Sequence, residues 1–157
     1  MDSQSPDWTA ISQGLIAPFS PDEVEWKPAG KGGANARTTL VCYVDARAVA
    51  QRLDDVVGCE GWAFTFTPIV IENGEVKVGK GSLSIHGIVK EDVGEWSAWS
   101  PSKGCSSDCL KRSAALWGVG RYLYSLPSVT TTLDANGKIP QAMLDTLRER
   151  LAARFAA

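Results

Sequence analysis

The chain predicts an α+β fold in the order β-α-β-β-β-α with a helical tail, a small antiparallel sheet carrying helices on one face. Three observations predict it. Trp62 to Ile71 alternates in part, with Trp62, Phe64 and Phe66 opposite Ala63, Thr65 and Thr67, as a strand with one covered face does. Glu72-Asn-Gly-Glu75 supplies an Asn-Gly pair, whose tolerance of positive φ favours a tight hairpin. The stretch from Cys105 to Tyr124 has no proline and is long enough for several helical turns.

On that last stretch, a helical rotation of about 100° per residue puts Leu110, Ala114, Trp117 and Arg121 in one narrow sector and sends Lys111 and Arg112 to its flanks. An apolar seam follows, with the two bases reaching out on different sides. Gly118 and Gly120 each lower helix propensity by about 1 kcal/mol relative to alanine, so a helix running through them needs close packing in compensation.

In chain order, residues 1 to 10 are polar and loose, and Ile11 to Ile16 form a short helix ended by Pro18 and Pro21. Val24 to Pro28 reads as extended, because a residue before proline is pushed out of the α region. Ala29 to Ala36 is a glycine-rich loop with Lys31, followed by Arg37; Thr38 to Val44 is a strand by composition. Asp45 is placed to cap a helix over Ala46 to Val57, whose Val49, Leu53, Val56 and Val57 make one apolar face. After the hairpin turn the return strand is expected from Val76 to Val89, the next reversal at Lys90 to Gly94, and a shorter strand with Trp96 and Trp99 from Glu95 to Ser100. Pro101 to Gly104 breaks the chain before the long helix, which Ser106 or Ser107 caps. Ser128 to Lys138 reads as a linker with a turn. Ile139 to Phe155 is a last amphipathic helix, with Pro140 early in it and Leu144, Leu147, Leu151 and Phe155 on one side.

The composition narrows the function classes. A chain of 157 residues, 44% hydrophobic and 22% charged, is long enough for a real core and is neither disordered nor highly charged. Its net charge of −2 argues against polyanion binding by bulk charge but leaves room for a local basic stripe. The four cysteines, Cys42, Cys59, Cys105 and Cys109, are too scattered for a zinc finger or ribbon, and the sole histidine is His86. No metal is expected. The N-terminus lacks a basic region followed by an apolar run, and no stretch approaches the roughly 20 apolar residues that span a bilayer. A cytoplasmic protein with reduced cysteines and no membrane partner is expected.

A search for catalytic groups finds no set. His86 falls in the expected return strand, where a lone histidine is usually satisfied or at the surface. Asp54 with Asp55, and Glu91 with Asp92, are sequence neighbours that point different ways. The loop before Arg37 lacks the Gly-Lys-Ser/Thr ending of a P-loop. Gly118-Val-Gly120 lies inside the expected helix, not between a strand and a helix start, so it is not a dinucleotide fingerprint. The protein is therefore expected not to be an enzyme and to need no cofactor. A binding surface fares better, because single-strand binders combine a basic track with ring platforms: Lys111, Arg112 and Arg121 offer bases, and Tyr122, Trp96 and Trp99 offer rings. Two other readings stay open, a protein-interaction or scaffold domain without DNA binding, and a metal-dependent nuclease using Asp92 or Glu91.

Several blocks in order then resemble a known family. Val44-Asp-Ala-Arg47, Gly61-Trp-Ala63, Glu91-Asp-Val-Gly94, and Leu110-Lys-Arg112 preceded by Asp108 and followed by Gly118 are similar to the Rad fifty-two superfamily of single-strand annealing proteins. The ending Gly118-Val-Gly-Arg-Tyr-Leu-Tyr124 with Leu126-Pro127 resembles its bacterial DNA-damage-response branch, called DdrA. The resemblance covers about Val24 to Pro127 and implies an arm (1–23), an annealing core (24–127), and a linker with C-terminal helix (128–157). It further implies a β-β-β-α core, with hairpin and sheet on a long helix, assembled as a homo-oligomeric ring that holds single-stranded DNA in a groove and anneals complementary strands in double-strand break repair without ATP.

The family's two adjacent groove bases match Lys111 and Arg112, and a further base in the early helix matches Arg47. Arg121, Lys90 and Lys80 complete the expected DNA-binding set. A third base common in the motif is replaced by Ala115, and an aromatic before the Gly-Trp-Ala block is replaced by Cys59. Arg121 is expected to compensate in charge.

Overall fold

The computed structural model describes residues 5–30, 32–95 and 101–156, the side chains of 101–103 excepted. Its elements in chain order are α1 (Trp8–Ile16), β1 (Val24–Pro28), β2 (Arg37–Val44), α2 (Ala46–Val57), β3 (Trp62–Glu72), β4 (Glu75–Ile85), β5 (Ile88–Glu95), α3 (Pro101–Leu116), β6 (Val129–Thr132) and α4 (Gln141–Phe155), with 3-10 turns at Pro21–Glu23 and Arg121–Ser125. They divide into two compact units, Met1–Ala17 with Ala46–Arg121, and Pro18–Asp45 with Tyr122–Ala157. Where one small sheet was expected there are two antiparallel three-stranded sheets, β3-β4-β5 in the first unit and β1-β2-β6 in the second.

In the first unit, Asn73 (φ 52°) and Gly74 (φ 76°) turn the β3-β4 hairpin as the sequence predicts. The next reversal comes earlier than expected. His86 (φ 46°) and Gly87 (φ 81°) turn the chain directly after Ile85, so Lys90 to Gly94 is not a turn but runs inside β5, paired with β4 from Gly79 to Leu83. The expected strand through Trp96 and Trp99 lies outside the described residues. One face of β4, Gly79, Gly81, Leu83 and Ile85, is buried; α3 packs on β4 and β5, and Leu15, Val49 and Leu53 of α1 and α2 add to this unit's core.

Both ends of α3 differ from expectation. The helix starts at Pro101, where the missing N–H of proline costs nothing, rather than after a break at Gly104. It stops at Leu116 instead of running through Gly118 and Gly120. Gly118 has φ 101°; its N–H donates to the Ala115 carbonyl at 3.0 Å, and that of Val119 to the Ala114 carbonyl at 3.1 Å. This is a Schellman ending, in which a left-handed glycine lets the chain turn back over the last carbonyls. Gly118 therefore ends the helix, Gly120 (φ 65°) lies in the chain beyond it, and Arg121 begins a 3-10 turn rather than continuing the seam of Leu110 and Ala114.

In the second unit, Val129–Thr132, expected as linker, forms a strand pairing with Arg37–Leu40 of β2. Leu40, Val44, Leu133, Leu147 and Leu151 are buried there. Pro140 stands just outside α4 as its N-cap. Leu147 and Leu151 are buried while Leu144 and Phe155 are half-buried, the stripe read from their spacing.

Candidate nucleic-acid interface

The seat of α3 fixes where its bases sit. Cys105, Cys109 and Ser113, four residues apart and each 0% exposed, form the side that meets the sheet. The Cys105 thiol donates to the Gly94 carbonyl at 3.4 Å, that of Cys109 to Gly79 at 3.2 Å, and the Ser113 hydroxyl to Gly81 at 2.9 Å. Small side chains thus meet glycines. A Cβ on Gly81 would come within 2.9 Å of both Cβ and the carbonyl oxygen of Cys109, and one on Gly94 within 2.9 Å of the Cys109 nitrogen. Burial, then the neighbouring Cys105 thiol, pushes the Cys109 pKa up to about 11, which keeps this sulfur protonated and poor as a nucleophile or ligand. Among the described residues no three His, Cys, Asp or Glu side chains cluster as a metal site.

Lys111 lies two residues from both Cys109 and Ser113, a rotation of about 200° that puts it on the side of α3 away from the sheet. It is half-buried, whereas Arg112 is exposed. Arg112 Nε bonds Asp108 Oδ2, one turn earlier, at 2.7 Å. Arg47 is exposed in the first turn of α2.

Two other expected site residues converge on the C-terminal end of α3. Arg121 donates from Nε to the Ala115 carbonyl and from Nη2 to that of Leu116, both at 2.7 Å; Lys90 Nζ donates to the same Leu116 oxygen at 3.0 Å. Cations here add donors to the last carbonyls of the helix, that of Ala115 already accepting from Gly118, and oppose the negative end of the helix dipole. Lys80 is not with them. It alternates with Gly79 and Gly81, which face α3, so it stands on the other face of the sheet, bonded to Glu91 at 2.9 Å. The Ser82 hydroxyl and Lys80 together hold the Glu91 carboxyl below its ordinary pKa.

The sequence reading passed over a ring cluster beside Lys90. Trp8 lies parallel to Trp117, centroids 6.2 Å and planes 9° apart, and meets His86 edge-on at 6.1 Å. Lys90 Nζ stands 4.3 Å from the centroid of Trp117, a cation–π distance. These four residues come from α1, the β4-β5 turn, β5 and the end of α3, so no local spacing joins them.

Comparison with known proteins adds the family. Residues 7–140 match the model of the Rad52/22 family double-strand break repair proteins. Over 119 residues the chain is 41% identical to the single-stranded DNA-binding protein DdrA of Deinococcus radiodurans, covering 74% of this chain and 56% of that protein. It is 36% identical over 119 residues to DdrA of Deinococcus deserti, covering 74% of this chain and 58% of that one. The chain thus spans somewhat over half the length of these curated relatives. With its β-β-β-α core and the family match extending over most of its residues, the chain belongs to the Rad52/22 family of double-strand break repair proteins.

Proposed function

We propose that this protein binds single-stranded DNA and anneals complementary strands, without ATP, in double-strand break repair and recombination. The observation that carries the reading is its 41% identity to a protein named for single-stranded DNA binding. Lys111 and Arg112 are the central phosphate contacts. The glycine-lined seat of α3 supports this role, because a helix held by backbone-close packing presents its remaining faces at fixed positions. Arg47 adds a further cation. Lys90 and Arg121 close the helix end and lend their charge to the same track, while Lys80, on the far face of the sheet, meets a different stretch of strand.

Many copies in a ring explain how a chain of net charge −2 holds a long polyanion. Each subunit contributes a modest patch, and linked patches sum their affinities. Phosphate contacts hold the strand without reading its sequence and leave base edges open to a complement. Annealing breaks no covalent bond, so nothing in it calls for a nucleophile or a phosphate-cradling loop.

Replacing Lys111 and Arg112 together by glutamine tests the assignment. Filter binding to oligothymidylate at fixed salt is expected to weaken at least tenfold. The slope of log affinity against log salt is expected to fall by about 1.4 for two lost contacts on a single strand, with the circular dichroism spectrum unchanged. Equal binding by wild type and the double variant would sink the assignment. Light scattering is expected to find a many-subunit assembly, and a stable monomer at micromolar concentration overturns the ring.

A further inference from the structure

Trp8 is more exposed than the docking of its helix requires. Ile11 and Leu15 already bury α1, at 8% and 1% exposure, yet Trp8 keeps 38% of its surface in solvent. Parallel rings with centroids 6.2 Å apart are displaced along their planes, so neither ring fully covers the other. Held by Trp117 on one side and by the edge contact with His86, the Trp8 indole has little side-chain freedom left to lose on binding a ligand. The strip continues through Lys90, over Trp117, to the Leu116 carbonyl that Lys90 shares with Arg121. An ammonium has three donors and a guanidinium five, so both cations keep hydrogen-bonding capacity beyond these carbonyls.

We infer that Trp8 and Trp117 form a base-stacking step for single-stranded nucleic acid, with Lys90 and Arg121 set to meet the phosphates beside the stacked base. The inference rests on the single-strand-binding reading above and adds a contact that recognises ring faces rather than charge. An aromatic face next to cations is the combination that single strands use. A purely apolar protein partner would bury Trp8 and Leu116, 39% exposed, while desolvating two cations without an anion to meet them, which is costly. Every base has a ring face, so the step tolerates any sequence and suits a protein whose strands must remain free to pair.

The test compares Trp8→Ala and Trp8→Phe with the wild-type chain on oligothymidylate and on an abasic backbone of equal length. Trp8→Ala is expected to lower oligothymidylate affinity about tenfold, within the range for loss of one stacked base. Trp8→Phe should recover part of that loss. Neither change is expected to alter the salt slope, and on the abasic backbone all three proteins should bind alike. Replacement of Lys111 and Arg112 gives the opposite pattern, weakening both ligands and flattening the salt dependence.

Unchanged oligothymidylate affinity in Trp8→Ala, or an equal loss on the abasic backbone, overturns the stacking step and leaves the phosphate contacts standing. A wild-type chain that binds neither ligand overturns the broader reading as well. Should Trp8→Ala fail to fold, photo-crosslinking of the wild-type chain to an oligonucleotide containing 5-iodouracil decides the matter. Adducts on the peptide bearing Trp8 or Trp117 support the step, and adducts found only elsewhere overturn it.

Discussion

Helix α3 packs on the β3-β4-β5 sheet and helix α4 buries leucines in the other unit, by different means. On its buried side α3 places Cys105, Cys109 and Ser113 against Gly79, Gly81 and Gly94, so that backbone nearly meets backbone. In the other unit α4 buries Leu147 and Leu151, and beside them lies an open cavity of about 380 Å³ also lined by Trp26, Leu126, Arg150 and Arg154. Leucine side chains can change rotamer to take up a change in shape, whereas a small-residue seam fixes the separation of two backbones. The proposed DNA contacts stand on the second kind of helix, the one whose position is most narrowly set.

Gly81→Val should have the largest effect of the three changes that probe this difference. Its Cβ alone would meet Cys109 Cβ, the Cys109 carbonyl oxygen and Phe64 Cε2 at 2.9 Å. Two of these atoms cannot swing away, so the cost is expected to exceed the usual ~1–3 kcal/mol of overpacking and to remove a cooperative unfolding transition. Gly33→Ala, where an added Cβ meets nothing within 4 Å, is the control and should unfold as wild type does. A Gly81→Val chain that melts normally would show that α3 has room to shift.

Leu151→Ala comes next. A buried leucine truncated to alanine costs about 2–5 kcal/mol, less where the surroundings already give way. Leu151 is 4% exposed and borders the cavity, so about 2 kcal/mol is expected from urea denaturation, with single-strand affinity unchanged in the folded variant. A loss near the top of the range would mean that α4 is packed as tightly as α3.

The elements legible in the sequence were those whose signal is local. Helix α2 over Ala46–Val57, the Asn73-Gly74 turn and the leucine stripe of α4 follow from turn chemistry and periodicity within a few residues. Three features were hidden for different reasons. Strand β6 is a short Val-Thr-Thr-Thr segment that exists by pairing with Arg37–Leu40, far away in the chain. The His86-Gly87 turn needs a histidine at positive φ, a conformation that histidine adopts more often than most side chains but still only in a minority of cases. Gly118 reads from propensity as a cost within a helix, whereas its left-handed backbone ends that helix. Of the candidate site, Lys111 and Arg112 were legible as neighbours diverging on one helix. That Lys90 and Arg121 meet at one carbonyl, and that Trp8 stacks on Trp117, depends on contacts between elements that no spacing encodes.

The finest test concerns the solvent side of α3 itself. Arg112 is bonded to Asp108 at 2.7 Å, with 47% and 34% of the two side chains exposed. Such a surface pair on a helix is worth only about 0.3–0.5 kcal/mol, so it does little for the fold, yet it places a carboxylate where the proposed phosphate must approach. A strand binding at Arg112 has to compete with that carboxylate and is repelled by it. Asp108→Asn removes the charge and keeps the shape. Single-strand affinity is therefore expected to rise about two- to threefold at low salt and to return to the wild-type value as salt screens the exposed charges, with the unfolding midpoint nearly unchanged. If affinity falls or stays level at low salt, Asp108 holds Arg112 in position rather than competing for it, or the strand passes elsewhere. Binding by Arg112→Gln alone separates those cases: it weakens if Arg112 meets the strand and is unchanged if the strand passes elsewhere.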